Sequence, residues 1–356
     1  MKLDELTEIL TKLAGSPGIS GDEEAVIRLA ASYFLKYCDE AYCDSFGNLV
    51  AVKKGEQTEG QQLKIALVAH IDEIGALVNG IEEGGFLRFA PIGGLDARLL
   101  PGQLVTIHGR KPLSALIGAT APHLLQEEDR AKTVPVEKLF IDTGLVEKKV
   151  RELIRIGDTI SFDCTPQVTN NGKYITGKAL DNRAGLAALL YCADELQELR
   201  HRADIIFIAS LQEEVGLRGA ITAAYNLKPD LAVAVDVTHG DIPGVDDSKT
   251  FKLGDGPALA VGPNFHPFLA KALQAQAKEC NIAYQVEPIP GHSGTDAWAF
   301  QISREGIPTA LLSIPLRYMH SPVEMLALED LKNSGRLLAA FTARLNADTL
   351  KEMIEC

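Results

Sequence analysis

After Thr165 the chain settles into a rhythm that few folds can accommodate, apolar strands alternating with helices. "RAGLAALLYCADELQELR" reads as a helix, "ADIIFIAS" as a strand, "GAITAAYNL" as a helix and "LAVAVDV" as a strand. "FLAKALQAQAKECN" then reads as a helix, "AYQVEPI" and "TALLSIP" as strands, and a long helix follows from about Leu328. Upstream, "NLVAVKKG" and "LKIALVAH" are further strands, the second almost wholly apolar up to His70. A strand half exposed to water alternates polar and apolar residues; one that does not is covered on both faces. The pattern predicts an α/β fold, a mixed sheet sandwiched by helices.

The rhythm breaks between about Glu73 and Asp163. Short β-like runs ("FLRFAPIGG", "QLVTIHG", "LSALIGA") alternate with Gly and Pro, and helical periodicity is rare until "EKKVRELIRIG". This predicts a small β-barrel-like domain inserted into the α/β domain. The expected division is 1–72 with 167–356 for the discontinuous α/β domain and 73–166 for the insert. Its "APHLLQEEDRAKTVPVEK" stretch is polar and charged, and is expected to be mobile. At the amino end, Gly15, Pro17 and Gly18 stop a first helix. Ser20 and Glu23 have the spacing of a capping box that opens a second.

Charge and composition narrow the function classes. With 35 basic and 48 acidic residues the net charge is −13, which repels nucleic-acid phosphates and anionic lipid, and no basic patch offsets it. Neither nucleic acid nor membrane is an expected partner. No signal peptide or apolar span is evident, and the six cysteines lack paired metal-type spacing. A cytoplasmic protein with reduced thiols is expected.

In open α/β sheets, ligands gather beyond the carboxyl ends of the strands. "LKIALVAHIDEIG" delivers His70 and Asp72 there, and "GKALDNRAG" supplies Asp181 at a helix entry. "IIFIASLQEE" brings Glu213 and Glu214, "LAVAVDVTHG" Asp236, and "SIPLRYMHSP" His320. Singly, each has a structural explanation: a helix cap, a solvated acid, a satisfied histidine. Together they form a set of imidazoles and carboxylates without thiolate, which suits zinc, cobalt or manganese used in hydrolysis. Adjacent carboxylates at 213 and 214 repel unless cations are near. If they stand on a strand terminus they point opposite ways, leaving one free to ligate and the other to move a proton.

Seven segments in order, "AHIDEIG", "ALDNRAG", "QEEVGLRGA", "DVTHGD", "GPNFHP", "SGTDAWAF" and "RYMHSPVE", resemble the tetrahedral and glutamyl aminopeptidases, cytosolic two-metal exopeptidases. The resemblance runs from "PGISGDE" to the final helix and implies a zinc-exopeptidase-like α/β domain. It implies two divalent ions per subunit, zinc or cobalt. His70 and Asp236 are the implied terminal ligands of one ion and Glu214 and His320 of the other, with Asp181 as the bridge. Glu213 is the implied general base acting on a metal-activated water, Asp72 the partner of His70, and the peptide bond after Asp181 is implied to be cis. The insert is similar to the family's dimerisation domain, from which dodecameric shells are built. The family's Lys-Pro-Pro-His run is replaced by "GATAPHLL", which keeps His123 but not the lysine.

The implied activity is removal of amino-terminal residues from peptides. His239 and His292 either line the pocket or, as is expected, take supporting roles. Arg317 either reads a substrate carboxylate or, as is expected, belongs to a structural ion pair. "GTDA" is either a helix cap or a wall of the substrate site. Two rivals follow from other classes. Paired carboxylates also serve glycoside hydrolysis, and some relatives carry an endoglucanase label. That chemistry needs no metal, and polysaccharide grooves need aromatic platforms; this chain has one tryptophan and 6% aromatic residues. A degenerate, inactive binding relative is the other rival, opposed by the presence of all seven site residues.

Overall fold

The computed structural model describes residues 1–56 and 62–354. Helices α1 (Leu3–Gly15) and α2 (Glu24–Phe34) lead into strands β1 (Glu40–Cys43), β2 (Leu49–Lys53) and β3 (Lys64–His70). Along α1, Leu6, Ile9, Leu10 and Leu13 recur at helical spacing and are buried as one stripe. The expected capping box before α2 is absent. Glu23 holds the N-cap position without a side-chain cap bond, and its Oε1 accepts instead from the Gly21 N–H at 2.8 Å. The Ser20 hydroxyl donates to Asp72 Oδ2 at 2.6 Å, so a tertiary acceptor has taken the group that a local cap would use.

Strands β4 (Gly75–Ile81), β5 (Leu87–Ile92), β6 (Leu104–His108), β7 (Pro112–Gly118), β8 (Phe140–Asp142) and β9 (Thr159–Phe162) follow, with α3 (Glu147–Leu153) before the last. They close into an antiparallel barrel in the order β4-β5-β8-β7-β6-β9. The period-two pattern of the sequence decides which side chains fill it: Val105, Ile107, Ala115 and Ile117 turn inward and are buried, while Leu104 and Leu116 face out. The polar stretch between β7 and β8 forms short 3-10 turns at Pro122–Leu124, Glu127–Asp129 and Val136–Lys138, with His123 exposed.

The chain then returns through β10 (Gln167–Val168), β11 (Tyr174–Gly177), α4 (Leu180–Glu195), β12 (Asp204–Ser210), α5 (Arg218–Leu227) and β13 (Leu231–His239). It continues with β14 (Ala258–Val261), α6 (Pro267–Glu279), β15 (Gln285–Pro288), α7 (Asp296–Gln301), β16 (Thr309–Arg317), β17 (Glu324–Ala327), α8 (Leu328–Arg344) and α9 (Ala347–Ile354). The eleven-stranded sheet runs β1-β2-β12-β3-β13-β16-β17-β11-β10, with β14 and β15 branching from β16. Strands β12, β3, β13 and β16 are mutually parallel, so their carboxyl ends share one edge. Ile65, Leu67 and Ala69 of β3 pack into one apolar cluster with residues of α1, α4 and α8. Ala66 and Val68 pack into another with α5 and α7, so both faces of the strand are covered. Cys38, Cys43, Cys164, Cys192 and Cys280 are free thiols; Cys356 lies outside the described residues. Among the described residues no helix is long and apolar enough to cross a membrane.

Candidate active site

The parallel register sets the site. His70 is the last residue of β3 and lies beside Ser210, the last of β12. Asp236 stands on β13 two positions beyond Ala234, which pairs with Val68 two before His70. His70 and Asp236 therefore meet at one edge of the sheet. Asp181 reaches the same point from the entry to α4, where Asp181 and Asn182 depart from helical geometry and the bond between them is cis. Asn182 fixes this entry: its Oδ1 accepts from the Gly185 N–H at 3.0 Å and its Nδ2 donates to the Val235 carbonyl at 2.8 Å. Gly185 is needed there, because a Cβ would lie 2.3 Å from Asn182 Oδ1 and 3.0 Å from Ala69 Cβ.

Donor atoms converge. His70 Nε2 lies 3.1 Å from Asp181 Oδ1 and 3.9 Å from Asp236 Oδ1. His320 Nε2 lies 3.5 Å from Asp181 Oδ2 and 3.4 Å from Glu214 Oε1. Thus the two oxygens of Asp181 face different imidazoles. His70, Asp181 and Asp236 form one group whose ligand atoms lie within 4.8 Å of one another; Asp181, Glu214 and His320 form a second, and His70, Glu213 and Glu214 a third. A tetrahedral shell of roughly 2.1 Å radius puts its ligand atoms about 3.4 Å apart, so these separations fit divalent ions.

Glu213 and Glu214 do both arrive here, but not by the pleat of a strand as expected. β12 ends at Ser210, Gln212 takes a left-handed φ of 55°, and the two glutamates sit in the turn that follows. Asp72 organises that turn. Fully buried, its carboxylate accepts the N–H of Glu213 at 3.0 Å and of Glu214 at 3.2 Å. It also abuts His70, whose Nδ1 is 3.5 Å from Asp72 Oδ1 and 3.2 Å from the Asp72 carbonyl. One buried acid so orients both the imidazole and the pair of glutamates.

Burial dominates the electrostatics. It pushes Glu213 up to about 10, with His70 opposing, and raises Asp236 well above the ordinary carboxylate range, again against His70. His70 would fall on burial alone, yet its bonds to Asp181 and Asp72 carry it well above its usual value. His320 rises to about 9, chiefly through its bond to Glu214. Such crowding of acids is costly without cations.

Glu324 and Glu287 escaped the sequence reading, and Asp296 was weighed only as part of "GTDA". Glu324 ends the quoted "RYMHSPVE": its Oε2 accepts from Asp181 N and its Oε1 from His320 N, both at 3.0 Å. Its place four residues after His320, in the same segment, was the available signal. Asp296, fully enclosed at the start of α7, accepts from the Ser210 hydroxyl. Glu287 of β15 lines the cavity, and nothing in its strand marked it. His239 and His292, expected in supporting roles, also line the cavity of about 610 Å³ that opens on the ligand groups. "GTDA" does both things weighed for it: Thr295 accepts from Ala297 N as the cap of α7, and Gly294 and Thr295 line the cavity. Arg317 pairs with Asp241 at 2.7 Å.

Sequence comparison adds the last observation: the model of the M42 glutamyl aminopeptidases matches residues 47–337. The chain belongs to that family. It is thereby an aminopeptidase, a hydrolase of peptide bonds. Among similar proteins, a lysyl aminopeptidase of Pyrococcus furiosus is 37% identical, over 95% of this chain and 97% of its own. A TET aminopeptidase from a marine sediment archaeon of the Thaumarchaeota superposes with a TM-score of 0.93 at 31% identity, covering 98% and 99% of the two chains. The TET1 peptidase of Pyrococcus horikoshii, described as able to assemble into a tetrahedron or a large octahedral shell, has a TM-score of 0.84 at 35% identity over 96% and 100%. The M42 assignment agrees with the mixed sheet and closed barrel seen here.

Proposed function

We propose that this aminopeptidase works with two divalent ions per subunit, zinc or cobalt, and with Glu213 as its general base. The observation that carries this reading is the division of Asp181, one oxygen toward His70 and the other toward His320. His70 and Asp236 would hold one ion, Glu214 and His320 the other, and Asp181 would lie between them. When bound, such a pair polarises a carbonyl and lowers the pKa of water. The substrate's free amine and scissile carbonyl dock against this edge. Glu213, held by Asp72 at its backbone, takes a proton from the attacking water and returns it to the leaving amine. Glu324 and Asp72 do not touch substrate; they fix the backbone of Asp181, His320 and the glutamate turn.

Metal content tests it. Two ions per subunit are expected in the wild type and in Glu213→Gln, and fewer in Asp181→Asn; a single ion in the fully active enzyme would sink the reading. The glycosidase rival predicts β-glucan hydrolysis that survives a chelator. Against it, these carboxylates converge with imidazoles in groups whose ligand atoms lie within 4.8 Å of one another rather than flanking a sugar-sized gap.

We propose further that the barrel, within the 73–166 segment, is a dimerisation unit for shell-like assemblies up to a dodecamer. Leu104 and Leu116, directly opposed on β6 and β7, are 58% and 44% exposed on its outer wall. Leu104→Glu should lower the mass measured by light scattering.

A further inference from the structure

Beyond the ligand groups the cavity continues along β13 and β16. Thr238 lies two residues past Asp236, on the same face of β13, and Ser313 is the cross-strand partner of Asp236. Between these hydroxyls sits Glu287, reaching in from β15. Thr238 donates to its Oε1 at 2.5 Å and Ser313 to its Oε2 at 2.7 Å. The residue is only 9% exposed, yet it lines the cavity. Four other carboxylates there, Asp181, Glu213, Glu214 and Asp236, belong to the ligand and base set; Glu287 stands apart from them. Leu311 and Ile289 supply apolar wall beside it, and no lysine or arginine lines this cavity among the described residues.

A buried carboxylate in such a wall is costly unless something meets its charge. The two hydroxyls go part of the way, each donating one hydrogen bond, and each oxygen keeps a further lone pair. Distance selects what could use them. Glu287 is held between Ser313, level with Asp236 on the next strand, and Thr238, about 6.6 Å farther along β13. A substrate whose amine and carbonyl sit by Asp236 would project its first side chain into that span. A four-carbon stem with a terminal ammonium fills it, the stem against Leu311 and Ile289 and the head at Glu287. An acidic side chain would meet a like charge at Glu287, where the neighbouring basic group is a histidine, His239, rather than a lysine or arginine.

We propose that Glu287 is a specificity-determining residue that reads a cationic side chain at the amino-terminal position, so that this enzyme prefers lysine or arginine there. The proposal rests on the reading that the free amine and scissile carbonyl dock at the ligand groups. Metal-loaded enzyme should be assayed on p-nitroanilides of lysine, arginine, leucine and glutamate, in the wild type and in Glu287→Gln, which nearly preserves shape. The wild type should favour lysine and arginine by kcat/KM. The variant should lose about 30-fold or more on those two, the scale of unpairing a buried charge, and stay within about threefold on leucine. A binding arm is independent of turnover: L-lysine should raise the melting temperature of the wild type more than L-norleucine, its uncharged counterpart, and the two should be equal in the variant.

A wild type that prefers leucine or glutamate overturns the proposal, even if the variant fails to fold. Equal losses on all four substrates overturn it too. Cleavage of leucine with no lysine preference sinks the role of Glu287 alone. No cleavage of any substrate, with lysine still protecting better than norleucine, sinks the catalytic reading and leaves Glu287 standing.

Discussion

The barrel and the carboxyl edge of the main sheet treat buried groups in opposite ways. In the barrel every strand is paired, and Val78, Leu87, Phe89, Ile107 and Ile141 fill an interior that needs nothing from outside. At the sheet edge, His70, Asp72, Asp181 and Asp236 are all below 8% exposed, and acids crowd together against their own repulsion. The first region is stable by area removed from water; the second relies on the hydrogen bonds around it and, on the reading proposed above, on bound cations. Stability in one region and reactivity in the other therefore rest on different physics.

Metal removal should break this contrast most severely. A chelator is expected to abolish peptide hydrolysis and lower the melting temperature, and refilling with zinc or cobalt to restore both; calorimetry with and without metal checks it. Bound ligand at about 100 times its dissociation constant stabilises by about 2.7 kcal/mol. Next comes Glu213→Gln, for which turnover should fall about 10² to 10⁴-fold while metal content is kept. Stopped assays with elemental analysis decide that case, and retained full activity rules out the base role. In the barrel, Phe89→Ala should cost about 3 to 5 kcal/mol in urea unfolding through transfer and cavity terms. If the regions are as separate as argued, kcat/KM of the residual folded protein stays within about twofold. The smallest effect sharpens the boundary between structure and function: Thr295→Ala removes the cap of α7 and should cost about 1 kcal/mol. Since Thr295 also lines the cavity, KM should shift as well; an unchanged KM would make it a cap alone.

Much of this was legible in the chain. The apolar run to His70 reads as a doubly covered strand, and the Gly- and Pro-punctuated runs of the insert read as short strands. Candidate ligands were found because they follow such strands. What escaped was any group whose role depends on a partner far away in sequence. Ser20 looked like a cap until Asp72 came within reach, and Glu287 looked like any strand glutamate until Thr238 and Ser313 closed on it. The glutamate pair is expected on a strand pleat, whereas a turn tied down by Asp72 presents it.

Local chemistry, written in periodicity and in residue type, was enough to determine the layers of this protein and which side chains could be reactive, because burial on one face or two leaves its imprint on neighbouring residues. Only the tertiary structure decided which acids share an imidazole, which hold backbone, and which face the cavity. Those roles depend on separations of about 3 Å between atoms that lie tens to hundreds of residues apart, and no short window of sequence encodes such a distance.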